Sequence, residues 1–401
     1  MYQGCEDAAR LVEGDRTMSR PVVLKALWGA AVLALVAGCS SGGGEERPGT
    51  APPTSASAPA SASASASVPA SGTASPEGGG RVSVAGTLTE GLKSPWGLAE
   101  LPGGDLLVSS RDERTITRVD GRSGAKTLLG EVPGVVPGGE GGLMGLAVHD
   151  GWVYAYLTAA SDNRIVRMRY GGAAGDRLGA PAPVLTGIPK GVVHNGGRIA
   201  FGPDGMLYAG TGETGQTGLA QDRASLGGKI LRMTPEGRPA PGNPFAGSVV
   251  YSYGHRNVQG IAWDADGRLW AAEFGQNTWD ELNLIEPGKN YGWPEAEGRT
   301  GREGFVDPVA QWPTSEASPS GIAYARGAIW MAGLRGERLW RVPLSGAERS
   351  GDPEAFLSGE YGRLRTVLAG GDGRLWLVSS ETDTRGTPEP GDDRILRLEV
   401  R

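Results

Sequence analysis

Beyond residue 39 the chain has no cysteine; only Cys5 and Cys39 of its 401 residues carry a thiol. The remainder therefore has no disulfide, no thiol nucleophile and no cysteine-ligated zinc or iron–sulfur centre. Nor is there an excess of positive charge. Thirty-nine Lys and Arg stand against 45 Asp and Glu, a formal charge of -6, which gives no reason to expect nucleic acid as a partner. Neither a G-x-S-x-G elbow nor a dinucleotide-binding βαβ fingerprint occurs, so serine-hydrolase and nicotinamide chemistry lack their parts. Long apolar runs are few. What the chain does have is 68 Gly, 28 Pro and 11 Trp, a composition that points to many short strands and turns rather than helices.

The first 39 residues read as an export segment. Arg20 and Lys25 form a short basic region, and Ala26 to Ala37 an apolar core too short to span a bilayer. Val36-Ala37-Gly38-Cys39 resembles the lipobox of bacterial lipoproteins, with cleavage before Cys39 and lipid on its sulfur. An ordinary secretory signal with a chance cysteine is the alternative. Met18 is a plausible start beside Met1, since residues 1–17 do not look like a signal. A lipidated Cys39 implies attachment to the outer face of a membrane. Residues 40–80, almost wholly Ser, Ala, Pro, Gly and Thr, cannot bury enough apolar surface to order themselves and are expected to be a disordered spacer.

From residue 81 to 401 a unit recurs. A strand beginning with a small residue is followed by a turn, an alternating strand, a gap and a third strand rich in Arg. The units begin at Gly97-Leu-Ala-Glu, Gly145-Leu-Ala-Val, Arg198-Ile-Ala-Phe, Gly260-Ile-Ala-Trp, Gly321-Ile-Ala-Tyr and Thr366-Val-Leu-Ala. Asp-Gly at 204–205, 266–267 and 372–373 marks hairpin turns. Six such units predict an all-β, six-bladed β-propeller, with residues 81–96 giving a strand that closes the ring with the last blade. A β-sandwich would not explain six units of one internal order. Tyr251–Pro294 stands out as the chemically richest stretch, and its last part, 273–294, is expected to be a long irregular loop.

His194 lies in a glycine-rich stretch directly before a strand, where a side chain can be aimed into the central channel. A hairpin would bring Glu213 back towards it, a carboxylate suited to orienting an imidazole. His149 reads as a solvated turn residue; His255 suits either a structural hydrogen bond or a site role. Arg256, Arg335, Arg363 and Arg365 fall in corresponding loops, and together suggest a polyanionic ligand, although each could equally pair with a neighbouring carboxylate. Asp280 and Glu281, with the loop 273–277, offer hard oxygen ligands that favour Ca²⁺ over a transition metal.

Leu92-Lys-Ser-Pro-Trp-Gly97, Gly139-Glu-Gly-Gly-Leu-Met-Gly-Leu-Ala147, His194-Asn-Gly-Gly-Arg198, Tyr253-Gly-His-Arg-Asn-Val-Gln-Gly260 and Asp280-Glu-Leu-Asn-Leu-Ile285…Asn290-Tyr-Gly-Trp-Pro294 occur in one order. In this the chain resembles the soluble PQQ-dependent glucose dehydrogenases and aldose sugar dehydrogenases, the glucose/sorbosone dehydrogenase family, over about residues 88–400. The resemblance implies pyrroloquinoline quinone (PQQ) over the channel and oxidation of an aldose at C1, with His194 as base and Glu213 as its partner, where many relatives carry Asp. It places Arg256 and Asn257 at the quinone oxygens. Arg335, Arg363 and Arg365 take the cofactor carboxylates, Arg335 standing where relatives commonly have Lys. The carbonyls of Gly275 and Gln276 match those holding an activating Ca²⁺, with Gln276 in place of a proline. Glu281 and Tyr291 match a second, structural calcium region. Glu140 matches a position near the sugar that is commonly Gln.

The expectation is thus a membrane-tethered sugar dehydrogenase using PQQ and Ca²⁺, with an electron acceptor the sequence does not name. Two other readings stay open: a sugar- or protein-binding propeller without turnover, and a metal-dependent, lactonase-like hydrolase.

Overall fold

Period-two apolar alternation interrupted by glycine-rich turns folds here into six antiparallel sheets. The computed structural model describes residues 80–401, apart from 172–174 and 176. The expected signal segment, Cys39 and the spacer up to residue 79 lie outside the described residues. Within the described residues, five sheets have four strands and one has five.

Each sheet is one blade. The innermost strands are Pro95–Glu100, Leu143–His149, Ile199–Phe201, Val258–Trp263, Pro319–Ala325 and Leu364–Ala369. Each packs against the innermost strands on either side, and the circle closes between the first and the sixth. The sixth blade is completed by the strand Val82–Thr89, which pairs antiparallel with Ile395–Val400, so the ends of the described chain are stitched together as expected.

The small residue that opens most inner strands has a steric reason. A Cβ on Gly97 would lie 2.5 Å from the Met144 carbonyl oxygen, on Gly145 2.2 Å from that of Gly197, and on Gly260 2.4 Å from that of Ser320. Glycine thus lets neighbouring blades converge on the axis. Further out, six apolar clusters fill the six gaps between blades; Trp270, Trp330, Tyr154 and Tyr156 are their largest fully buried members. Both faces of every blade are therefore buried, and each fully buried large apolar side chain contributes roughly 1.5–3 kcal/mol.

One expectation fails. Residues 273–294 are not one irregular loop: Trp279–Ile285 is the third strand of the fourth blade and pairs with Leu269–Glu273. Its polar residues suggested solvent, yet Asp280, Glu281 and Asn283 are buried, each with a hydrogen-bond partner. The connecting loop shrinks to 274–278.

Candidate active site

At one end of the channel, loops between blades and loops between second and third strands enclose a cavity of about 270 Å³. Trp96, Gln259 and Arg365 line it from the inner strands, and Glu140, His194, Arg256, Asn257, Arg335 and Arg363 reach it from loops. The expected convergence of the four arginines therefore occurs.

His194 is held rigidly. Its backbone has φ +53°, a left-handed conformation that costs a non-glycine residue on the order of 1 kcal/mol or more. The surroundings enforce it. His194 N–H donates to Glu140 Oε2 at 2.8 Å, and the His194 carbonyl accepts from Thr214 N–H at 3.2 Å. Next door, the Asn195 side chain is locked by Asn163 and by both polar groups of the Gly191 backbone. The imidazole keeps 18% of its surface exposed, and its Nδ1 is hydrogen-bonded to Glu213 Oε1. Glu213 is buried, and its Oε2 has no partner. On the cavity side, Arg256 Nη2 donates to His194 Nε2 at 3.0 Å. A guanidinium N–H can only donate, so Nε2 must offer a lone pair and the proton sits on Nδ1, facing Glu213. This is the tautomer a base needs.

Two of the arginines share one counter-charge. Arg363 and Arg365 donate to the same oxygen, Asp383 Oδ2, at 3.0 and 2.8 Å. Burial alone would raise the Asp383 carboxyl, but Arg365 and Arg363 outweigh it and hold it down at about 2. Arg256 and the exposed Arg335 make no ion pair among the described residues. The Nε atoms of Arg256, Arg363 and Arg365 are buried without partners. Such a wall suits a ligand with several negative charges in one plane.

The oxygen-rich stretch divides into two places. Gly275 and Gln276 line the cavity, and neither carbonyl accepts a hydrogen bond among the described residues. Glycine is required at 275, where a Cβ would meet the Trp279 carbonyl oxygen at 1.8 Å. Asp280 also faces the cavity, but its oxygens are taken by the N–H groups of Gly275 and Ser318, and burial pushes its carboxyl up to about 7. Glu281, next along the strand, points to the opposite side, as strand geometry demands. It accepts from Asn283 and from Gly298 N–H, with its carboxyl raised by burial and by Glu273. Tyr291 stacks on His255 with centroids 4.6 Å apart, and its hydroxyl bonds Leu284 and Glu286. Neither Glu281 nor Tyr291 lines the cavity. Among the described residues no three His, Cys, Asp or Glu side chains cluster to hold a metal, so a cation at the cavity would depend on main-chain oxygens.

His255 is structural: fully buried, it bridges Ser252 and Glu273. His149 closes its turn and stacks on Phe201. Sequence reasoning missed Arg111, Asp383 and Arg385, which also line the cavity. Of these, Arg385 salt-bridges Glu140 at 2.7 Å across the ring, joining the sixth blade to the second beside His194. Glu140 lay in a quoted motif, but no sequence pattern marks Arg385 as its partner.

A six-bladed propeller that sets an oriented imidazole–carboxylate pair against a polycationic cavity wall is an enzyme scaffold of the small-molecule type. The chain belongs to the glucose/sorbosone dehydrogenase family, whose sequence profile matches residues 92–388. The PQQ-bound aldose sugar dehydrogenase of Streptomyces coelicolor superimposes with a TM-score of 0.79 at 70% identity, covering 82% of this chain and all of that one. The aldose sugar dehydrogenase of Escherichia coli is 28% identical over 333 residues, 74% of this chain and 89% of its own. Quinoprotein glucose dehydrogenase B of Acinetobacter calcoaceticus is 30% identical over 253 residues, 54% of this chain and 53% of its own.

Proposed function

We propose that the protein is a PQQ-dependent aldose dehydrogenase that oxidises sugars at C1 to lactones. The observation that carries this is the His194–Glu213 pair facing a wall of arginines whose buried Nε atoms lack partners. It agrees with family membership and with the PQQ-bound state of the Streptomyces coelicolor relative.

When bound, the quinone supplies the hydride acceptor, and a Ca²⁺ beside it supplies a Lewis acid. The residues present fit both groups. Arg335, Arg363 and Arg365 would take the cofactor carboxylates, while Arg256 and Asn257 would reach the quinone oxygens. The free carbonyls of Gly275 and Gln276 would hold the cation, as hard oxygen donors suit Ca²⁺. Glu281 and Tyr291 would belong to a separate structural calcium region within the fourth blade. The unpartnered Oδ1 of fully buried Asn283 beside Glu281 supports that placement.

In the reaction His194 Nε2 takes the proton of the anomeric hydroxyl. Glu213 keeps the ring in the required tautomer and stabilises the imidazolium that forms. For this the Arg256–His194 hydrogen bond must give way to substrate. Glu140, fixed by Arg385 and by His194 N–H, stands where the sugar hydroxyls would lie. The expected lipid on Cys39 would tether the propeller outside the membrane, with the spacer giving it reach toward an electron acceptor.

The test is dye-linked oxidation of several aldoses by the protein without additions, with PQQ, with Ca²⁺ and with both. His194→Asn is the control, since asparagine tolerates the left-handed backbone. Turnover that needs both additions and is abolished in the variant is the expected result. Failure to bind PQQ in direct titration would overturn the proposal and favour a binding propeller.

A further inference from the structure

We propose that Arg198, which lies beneath the cavity rather than on its wall, is an electrostatic positioning residue whose unneutralised charge favours the anionic cofactor above it. This rests on the reading of the site as a PQQ pocket. Arg198 directly precedes the inner strand of the third blade and is 7% exposed. Its Nε donates to the Gln259 carbonyl at 2.8 Å and its Nη2 to Thr366 Oγ1 at 3.1 Å. The guanidinium lies 4.4 Å from the centroid of the Trp96 ring. Trp96 and Gln259 are themselves cavity-lining residues, so the charge sits one layer below the floor.

Among the described residues Arg198 has no ion pair. All its partners are neutral, and burial together with the like charge of Arg365 pushes the guanidinium down to about 9. An unpaired buried cation is costly, and an aliphatic side chain would fill the same space without that cost. Arginine is the cation best suited to such a place, being weakly hydrated and able to stack on indole. The surplus extends to the wall. Among the described residues the Arg198, Arg363 and Arg365 side chains together meet only the Asp383 carboxylate, which leaves two positive charges uncompensated in the floor and wall of the cavity. Charges in this low-dielectric setting act across several ångströms, so Arg198 can favour bound carboxylates without touching them.

A purely mechanical role is the competing explanation, because the same hydrogen bonds join the third, fourth and sixth blades. Apo-protein stability separates the two. The experiment compares wild type, Arg198→Met and Arg198→Lys as full-length proteins. It measures PQQ affinity by titration in the presence of Ca²⁺, and apo stability by urea denaturation.

The expected result is an Arg198→Met apo-protein as stable as wild type or more so, binding PQQ about tenfold more weakly. Arg198→Lys, which restores charge without the planar fork, recovers most of the affinity. Unchanged PQQ affinity in folded Arg198→Met overturns the proposal. So does a loss of affinity that tracks a loss of apo stability in both variants. Should Arg198→Met not fold, Arg198→Lys decides: near-wild-type affinity supports the charge, and a tenfold loss refutes it. Absence of PQQ binding in wild type would instead refute the functional reading on which this depends.

Discussion

Replacing Asp383 by Asn should weaken the apo-protein far more than the cofactor-loaded one. The carboxylate has one oxygen shared by Arg363 and Arg365 and by the Ser380 hydroxyl at 3.2 Å, and another accepting the Arg385 N–H at 3.0 Å. Its fall from 3.8 to about 2 corresponds to about 2 kcal/mol of native-state stability at neutral pH. The folded value lies below the unfolded one, so this contribution is complete above about pH 4 and is lost as pH falls through 2. Asn is isosteric, so packing is kept while two guanidiniums lose their only counter-charge. Urea denaturation of apo wild type and Asp383→Asn should therefore differ by about 2 kcal/mol at pH 7, with the gap closing toward pH 2. With PQQ bound the gap should narrow, since cofactor carboxylates would replace the missing charge. Equal destabilisation at both ends of the pH range, or equal losses with and without PQQ, would show that Asp383 is not acting as the arginines' counter-ion.

The other expectations are simpler. Glu213→Gln should lower turnover by about 100-fold or more while leaving the PQQ titration unchanged, because the amide no longer fixes the imidazole proton on Nδ1. A parallel loss of cofactor affinity would mean that Glu213 shapes the pocket instead. Glu140→Gln removes the ion pair to Arg385 but can still accept the His194 N–H. The ranking of aldoses by kcat/KM should change by about tenfold at unaltered PQQ affinity, and an unchanged ranking would place Glu140 away from the sugar. Gly260→Ala should cost more than about 3 kcal/mol in thermal or urea unfolding, as its Cβ would lie 2.4 Å from the Ser320 carbonyl oxygen. A loss below about 1 kcal/mol would show that the inner strands can spread.

The residues that were legible in the sequence share a property: each announces itself locally. Asp266-Gly267 marks a turn, Gly97 and Gly145 mark close approach, and the glycines after His194 free a backbone that can aim a side chain. Asp383 gives no such signal. It is one of 45 acidic residues, and its meaning depends on Arg363 and Arg365 arriving at the same point through blade curvature. Arg198 is hidden for a related reason. Strand alternation separates two faces, but in a propeller both faces are covered by neighbouring blades, so alternation does not reveal which residues meet at the axis. Strand 279–285 was misjudged on the same ground, since Asp280, Glu281 and Asn283 look solvent-facing until their buried partners are known. Polar residues at the centre of this fold are paid for by contacts from other blades, often more than 60 residues away. Ring closure, not local pattern, decides which charges are neutralised and which, like Arg198, are left to act on whatever the cavity holds.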